Sequence, residues 1–207
     1  MKKSVVIIGK GPSVKNCTKQ IIDSYDQIAI CNFPPMEGYE QYIGNKADYH
    51  FLNAHDPNPY NSELLNNLEL KYMFNTHEIP HPGFKNCFPQ NEVLYNPNYG
   101  KVTVEHFIKN YGFHPSTGTQ AFYYFVTKPE YDTIGLVGFD FFKVGEKSYY
   151  YPPSEVQASL KYLYSDNNTP FNKKGIRVQE NSHNSKKSEN FTFDMVKKYN
   201  KKLRIIK

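Results

Sequence analysis

A short apolar run that ends in a glycine-rich loop constrains this chain more than any other feature. Residues 5–8 are Val-Val-Ile-Ile, a β-branched run typical of a central strand that is buried on both faces of a parallel sheet. Gly9 and Gly11 then permit a sharp turn and a close approach to a ligand, and Pro12 suits a first helical turn. Because backbone N–H groups at such a turn attract anions, the segment predicts a nucleotide-phosphate site.

The residues of this loop exclude two familiar nucleotide-binding motifs. A dinucleotide fingerprint needs a third glycine at position 14, where the chain has Val14. A Walker loop needs Gly-Lys-Ser or Gly-Lys-Thr, and neither occurs in the sequence. A purely structural strand-to-helix turn therefore stays open as an alternative, and the function of the loop depends on the residues that accompany it.

Composition limits the class of protein. The 207 residues suit one domain spanning 1–207, with no repeat or linker to divide it. A net charge of +5 fits an anionic substrate and is too small to indicate nucleic acid. Three unpatterned cysteines and a short apolar segment after Lys3 predict a cytoplasmic protein without a zinc site, signal peptide or membrane span.

The first third of the chain has the pattern of a doubly wound α/β sheet. We predict a helix over residues 14–22 and further strands over 27–32 and 47–53. Asn32 and Asn53 end these two strands, and ligands of such sheets bind beyond the carboxyl ends of the strands. An amide can donate to a phosphate or carboxylate and accept from a sugar hydroxyl, so both residues are candidates for a sugar-nucleotide pocket.

A hydroxyl-rich turn opens an apolar helix after position 115. Ser116 or Thr117 can cap this helix, and the backbone amides that follow, including Gly118, attract an anion. A buried strand is predicted next, from residue 132, and it leads to Asp140, where a ribose hydroxyl can be met.

The remaining segments carry fewer signals. We predict a helix over 62–68, a strand over 71–75, a helix over 154–164, a helix that ends near 199 and a last strand over 203–206. Segments 56–100 and 142–182 are expected to form acceptor-side or lid regions. His77 and His81 are not expected to bind metal, because the neighbouring prolines exclude a regular helix.

Two late features complete the set of candidates. Tyr149 and Tyr150, followed by Tyr151, form a proline-flanked run that is a candidate lid, of which one or two rings would face a ligand. His183 stands in a polar loop before a helix and has no apolar face to serve.

In their order and spacing, these motifs resemble those of bacterial sialyltransferases that use CMP-sialic acid, such as those that decorate lipooligosaccharide. The residues that carry this resemblance are Gly9-Lys10-Gly11-Pro12-Ser13, Cys31-Asn32, Leu52-Asn53, Ser116-Thr117-Gly118, Gly138-Phe139-Asp140-Phe141 and His183. Residues 36–46 also resemble the end of the large motif of animal-type sialyltransferases, and residues 115–118 the start of their small motif. The resemblance covers most of the chain outside residues 56–100.

The resemblance implies a fold and a set of roles. The fold would be a single Rossmann-like α/β/α domain with a mostly parallel sheet, a GT-A-like variant. Gly9, Gly11 and Ser13 would line the cytidine monophosphate site together with Asn32, and Asp140 would lie near the ribose or base. The donor phosphate and the sugar carboxylate would be met by Asn53, Ser116, Thr117 and Gly118. His183 would deprotonate the acceptor hydroxyl, and Tyr149 or Tyr150 would donate to the leaving phosphate.

The implied activity is inverting transfer of sialic acid, or of a related nonulosonic acid, from a CMP-activated donor to a glycan or glycolipid hydroxyl. The donor carries one phosphate and the chain has no Asp-x-Asp motif, so we expect neither a metal nor a cofactor. Two alternatives remain: a transferase of CMP-Kdo, and a CMP-sugar binding module that has lost catalysis. The second is suggested by Phe142, which stands where the bacterial enzymes have a tyrosine.

Basic residues accumulate at the end of the chain. They are Lys197, Lys198, Lys201, Lys202, Arg204 and Lys207. Such a run usually forms a solvated face, and it could also rest on anionic lipid near a glycolipid acceptor, at the inner face of a membrane.

Overall fold

A seven-stranded parallel sheet organises the molecule. A computed structural model describes residues 1–32, 37–53, 68–79, 93–141, 149–150 and 184–207. Within these ranges the strands are β1 Lys3–Ile8, β2 Gln27–Cys31, β3 Tyr49–Leu52, β4 Tyr72–Asn75, β5 Leu94–Asn96, β6 Tyr131–Val137 and β7 Lys202–Ile206. Their order is β5-β4-β3-β2-β1-β6-β7, and every neighbouring pair is parallel. The predicted α/β class is confirmed.

Helices lie on both faces of the sheet. They are α1 Lys19–Asp23, α2 Glu40–Ile43, α3 Tyr99–Tyr111, α4 Thr117–Val126 and α5 Ser185–Lys198, preceded by a 3-10 helix at Pro12–Asn16. Successive residues of β1 point to opposite faces: Val6 and Ile8 pack in the core that contains the 3-10 helix, while Val5 and Ile7 pack in the core under α3, α4 and α5. The result is a three-layer α/β/α arrangement.

The first predicted helix, over residues 14–22, was wrong as a single element. Cys17 has an extended backbone and ends the 3-10 helix, and Thr18 accepts a hydrogen bond from the N–H of Ile21 to cap α1. Two short segments replace one helix because the N-cap geometry of Thr18 requires an extended residue at that point.

Three elements were not predicted: the four-residue helix α2, the edge strand β5 and the helix α3. The edge strand β5 and the thirteen-residue helix α3 follow a stretch whose asparagines and prolines indicated loops. Gly100 is the second residue of α3, and a Cβ there would lie 2.3 Å from the His77 carbonyl oxygen. A glycine that resembles a loop residue in the sequence therefore serves close packing of a helix against the end of β4.

The remaining predicted strands and helices are confirmed in part. The strands near 71–75 and 203–206 are confirmed as β4 and β7. Residues 181–189 were expected to precede the last helix, but α5 begins at Ser185, because Asn184 caps it by accepting from the N–H of Lys187. The predicted helix over 154–164 and nearly all of that over 62–68 lie outside the described residues. No helix in the described ranges is long and apolar enough to cross a membrane.

Candidate active site

The candidate site lies where the order of the strands reverses. β1 is flanked by β2 on one side and β6 on the other, so the connections that leave β1 and β6 diverge at their carboxyl ends. Such a switch point is the place where open α/β sheets bind ligands. The glycine loop occupies it: Gly9 N–H donates to the Val137 carbonyl at 2.7 Å, and Gly11 N–H donates to the Gly138 carbonyl at 2.9 Å.

A carboxylate holds the far end of the glycine loop. The backbone N–H and the hydroxyl of Ser13 donate to Oδ2 of Asp140 at 3.1 and 2.9 Å. A Cβ on Gly11 would lie 2.0 Å from the same oxygen, so only glycine fits there. Asp140 lies three residues beyond the end of β6 and fixes the loop through Oδ2, while the sequence indicated only a ribose contact.

Asn32 links three parts of the site. It follows β2 in a left-handed backbone conformation, with φ of 57°, which asparagine adopts more readily than most residues. Its Oδ1 accepts from the N–H of Asn53 at 2.8 Å and from the hydroxyl of Thr117 at 3.4 Å. The strand-end asparagines expected to lie together are therefore in contact, and Asn53 is the exposed one.

His50, in the neighbouring strand β3, holds the backbone of Asn32 in place. Its Nε2 donates to the Asn32 carbonyl at 2.6 Å, because a carbonyl oxygen only accepts, and its side chain is fully buried in β3. Burial lowers the pKa of His50 to about 4, partly offset by this hydrogen bond, so the imidazole is neutral at neutral pH. The sequence analysis missed this residue, whose only signal is a polar side chain inside an apolar strand.

The first turn of α4 contributes the opposite wall. Ser116 caps the helix by accepting from the N–H of Thr119 at 3.1 Å, so its hydroxyl has a structural role. The Thr117 hydroxyl lies 3.1 Å from that of Thr76, at the end of β4. Backbone N–H groups of a first helical turn have no partner within the helix and can face an anion.

Gly118 allows α4 to approach the loop after β6. A Cβ there would lie 3.0 Å from two carbons of the Phe139 ring. Phe139 thus fills the space between α4 and the loop that carries Asp140, and the helix start and the two strand ends form one continuous surface.

A third polar strand end was also missed. Thr76 follows β4, and its carbonyl accepts from Nε2 of Gln120 at 2.9 Å. The signal was present in the sequence, since Asn75 and Thr76 follow an apolar strand in the way that Asn32 and Asn53 do. The carboxyl ends of β2, β3 and β4 therefore all present hydrogen-bonding side chains.

Tyr149 and Tyr150 lie against the glycine loop. The N–H of Tyr150 donates to the Lys10 carbonyl at 3.0 Å, and its buried ring packs edge-on against Tyr39 with centroids 4.8 Å apart. Tyr149 is less buried, and its ring lies under the Lys10 ammonium, with Nζ 4.9 Å from the centroid. The predicted lid segment is thus adjacent to the loop, with Tyr150 anchored in the core.

Some predicted residues lie outside the described part of the chain: His183, Tyr151, His81 and Phe142. Within the described ranges, no group of three or more His, Cys, Asp and Glu side chains could hold a metal ion.

A cavity of about 380 Å³ adjoins the Ser13–Asp140 contact. Its lining residues are Pro12, Ser13, Asn16, Phe139, Asp140, Phe141 and Lys207. The cavity lies on the β7 side of the glycine loop, where Lys207 follows that strand. The cluster of Asn32, Asn53 and Thr117 lies on the other side, at the ends of β2 and β3.

Comparison with known proteins identifies a similar sequence in an animal enzyme. No family model matches the chain. The chain is 30% identical over 117 residues to the CMP-N-acetylneuraminate-beta-galactosamide-alpha-2,3-sialyltransferase 1 of Gallus gallus. The match covers 48% of this chain and 33% of the Gallus gallus protein, so the chain spans about a third of the length of this curated relative.

Solved structures share the fold over nearly the whole chain. A variant of the sialyltransferase Cst-II in complex with CMP superposes with a TM-score of 0.66 at 17% identity, covering 99% of this chain and 81% of that one. The α-2,3-sialyltransferase Cst-I of Campylobacter jejuni gives 0.65 at 17% identity, covering 99% and 76%. A mammalian sialyltransferase in complex with Gal-beta-1-3GalNAc-ortho-nitrophenol gives 0.54 at 16% identity, covering 99% and 69%. The chain has the fold of these sialyltransferases, and the resemblance noted in its sequence is confirmed.

Proposed function

We propose that the chain is a glycosyltransferase that moves sialic acid, or a related nonulosonic acid, from a CMP-activated donor to a hydroxyl of a glycan. One observation carries the proposal: Asn32, Asn53 and Thr117 form a hydrogen-bonded cluster at the switch point, beside a glycine loop fixed by Asp140. The similarity to sialyltransferases, among them structures with CMP and with a trisaccharide acceptor, supports the choice of donor and acceptor.

The donor would bind across the carboxyl ends of β1, β2 and β6. The N–H groups of Gly9, Gly11 and Ser13 already donate within the protein, and Pro12 has none. The backbone N–H of Lys10 and those of Thr117 and Gly118, in the first turn of α4, would therefore meet the phosphate and the sugar carboxylate. The amides of Asn32 and Asn53 can donate as well as accept, which suits a ligand with both anionic and hydroxyl groups. This assignment follows from the position of each group around one crevice.

The chemistry would be a direct displacement at the anomeric carbon. The bond from that carbon to the phosphate oxygen breaks, and its electron pair stays on CMP, while the acceptor oxygen forms the new bond on the opposite face and inverts the centre. His183 would take the acceptor proton, since a histidine side chain is a competent general base at neutral pH. Stabilisation of the leaving phosphate by fixed donors would replace a metal ion.

Transfer can be tested directly with CMP-sialic acid and a galactoside. We expect CMP release together with a sialylated product, and loss of both in His183→Ala. A Ser185→Ala variant nearby, at the start of α5, serves as a control that should retain turnover. CMP binding without turnover across several sialic acid, Kdo and acceptor substrates would contradict the transferase and favour a binding module.

A further inference from the structure

Lys10 places a positive charge inside the glycine loop. The residue is half-buried between Gly9 and Gly11, and among the described residues no carboxylate lies within ion-pair distance of its ammonium. Asp140, the acid that contacts the loop, is engaged by Ser13. Within the part of the chain that the structure describes, the ammonium thus forms no ion pair, and the nearest acid of the loop, Asp140, accepts from Ser13.

The aromatic face of Tyr149 holds this ammonium in place. Nζ lies 4.9 Å from the ring centroid, within the range of a cation–π contact, and the next residue, Tyr150, donates its N–H to the Lys10 carbonyl at 3.0 Å. Tyr149 therefore contacts the side chain of Lys10, and Tyr150 contacts its backbone. A cation–π contact does not use all three N–H donors of an ammonium, so the Lys10 ammonium can still donate to an anion.

Lys10 stands beside the end of β2. Ile8 pairs with Ile30 in the parallel sheet, so Lys10 and Asn32 each follow paired residues by two positions at the same edge. The Lys10 charge also lowers the pKa of the buried Cys31 thiol, against the larger rise that burial causes. The lysine thus belongs to the strand-end region where the donor would bind.

We infer that Lys10 binds the phosphate of the CMP donor and that Tyr149, through its ring face, is the positioning residue for Lys10. The inference rests on the proposed function and deepens it. The phosphate of a CMP-sugar carries one negative charge, and when its bond to the anomeric carbon breaks, the retained electron pair gives CMP a second. The ammonium therefore interacts more strongly with the leaving group than with the intact donor, which favours the transition state.

This assignment changes the expected role of Tyr149. A tyrosine that donates its hydroxyl to the leaving phosphate loses function as phenylalanine, whereas a ring that holds a cation keeps function as phenylalanine and loses it as leucine. The two roles are thus separated by Tyr149→Phe and Tyr149→Leu.

Calorimetric titration of CMP and cytidine, which differ by the phosphate, provides the test. We expect Lys10→Gln to weaken CMP binding by about tenfold or more, as for the loss of a charged hydrogen bond, and to leave cytidine binding unchanged. Tyr149→Leu should weaken CMP binding by roughly threefold and Tyr149→Phe should not. Lys15→Gln, which removes the same charge from an exposed position of the 3-10 helix, should match wild type.

The outcomes separate this inference from the function it rests on. If Lys10→Gln retains the wild-type preference for CMP over cytidine, or loses both ligands equally, the inference is overturned. Lys10→Met, which removes the charge and keeps an unbranched aliphatic side chain, repeats the test should the glutamine variant fold poorly. Wild-type protein that binds neither ligand would contradict the proposed function itself.

Discussion

At the scale of single residues, His50 shapes a site that its side chain does not enter. Its imidazole lies in the buried strand β3 and donates to the carbonyl of Asn32, whose left-handed backbone directs Oδ1 to Asn53 and Thr117. Burial keeps this ring neutral at neutral pH, because a buried imidazolium is costly to desolvate. The protonation state of His50 therefore affects both the stability of the protein and the position of Asn32.

The first prediction concerns pH. The unfolded chain takes up a proton at His50 near pH 6.5 and the folded chain only near pH 4, so the stability present at neutral pH falls as the pH drops through this window. Between pH 7 and 4.5, urea denaturation should show wild type losing about 2 kcal/mol more than His50→Gln, which has no proton to gain. Equal losses in both proteins would contradict a neutral, buried His50.

The second prediction separates stability from binding at the glycine loop. Ser13→Ala removes one of two hydrogen bonds to Asp140 and should cost about 1 kcal/mol in the free energy of unfolding. Because the loop would be held less firmly, CMP affinity should fall as well. Ser4, near the start of β1, offers a matched control: its N–H and hydroxyl donate in the same way to Oδ2 of Asp26, which precedes β2 at the opposite edge of the sheet from the site.

The Ser4→Ala control shows whether an effect of Ser13→Ala on CMP affinity is specific to the glycine loop. Ser4→Ala should reduce stability no more than Ser13→Ala, since the Ser4 contact is exposed, and it should leave CMP binding unchanged. If CMP affinity falls in both variants, or in neither, Asp140 does not hold the loop for the ligand.

At the scale of elements, strands were more predictable than helices. The buried strands are short apolar runs that end in polar residues, a pattern visible without a structure, and this placed Asn32 and Asn53 at one edge before any contact was known. Helix α3 was hidden because Gly100 and the preceding asparagines have low helix propensity, and tertiary packing against β4 overrides it. His50 could not be foreseen, because its role depends on a neighbour across the sheet.

The third prediction concerns the start of α4, where two adjacent hydroxyls have different roles. Ser116→Ala removes the N-cap and should destabilise the protein by about 1 kcal/mol. Thr117→Val keeps the shape and removes the contacts with Thr76 and Asn32, so it should weaken CMP binding more than it lowers stability. Thermal denaturation and calorimetric titration of the two variants provide the comparison.

A cap elsewhere in the chain provides the control for these two variants. Thr18 caps α1 by accepting from the N–H of Ile21, so Thr18→Ala should reduce stability and leave CMP affinity unchanged. A Ser116→Ala variant with wild-type stability, or a Thr117→Val variant with wild-type affinity, would contradict the division of roles.

At the scale of the whole molecule, the two edges of the sheet differ in chemistry. The carboxyl edge carries amides, hydroxyls, the Asp140 carboxylate and the Lys10 ammonium, while the cavity of about 340 Å³ at the amino edge is rimmed by ion pairs, such as Lys19 with Asp23 and Lys71 with Asp48. Because these ion pairs compensate one another, we expect an anionic ligand to prefer the carboxyl edge.

The basic end of the chain has less free charge than its sequence indicates. The Lys201 ammonium donates to the carbonyls of Lys128 and Tyr131, and the Arg204 charge opposes the rise that burial causes in the pKa of Tyr25. Exposed positions that remain for a lipid surface include Lys197, Lys198 and Lys202.

The fourth prediction is that these exposed lysines bind anionic lipid. Sedimentation with anionic vesicles should show weak binding that falls as salt rises and disappears when Lys197 and Lys198 are both replaced by glutamate. Binding that is absent in wild type at low salt would remove the proposed contact with a membrane.

A crystal structure of the protein with CMP tests the central claim most directly. We predict that the phosphate lies between the loop from Gly9 to Ser13 and the first turn of α4, within reach of the Lys10 ammonium, with the nucleoside against Asn32 and the loop of Asp140. A nucleotide seated beside Asn16 and Lys207, or at the amino edge of the sheet, would contradict the account.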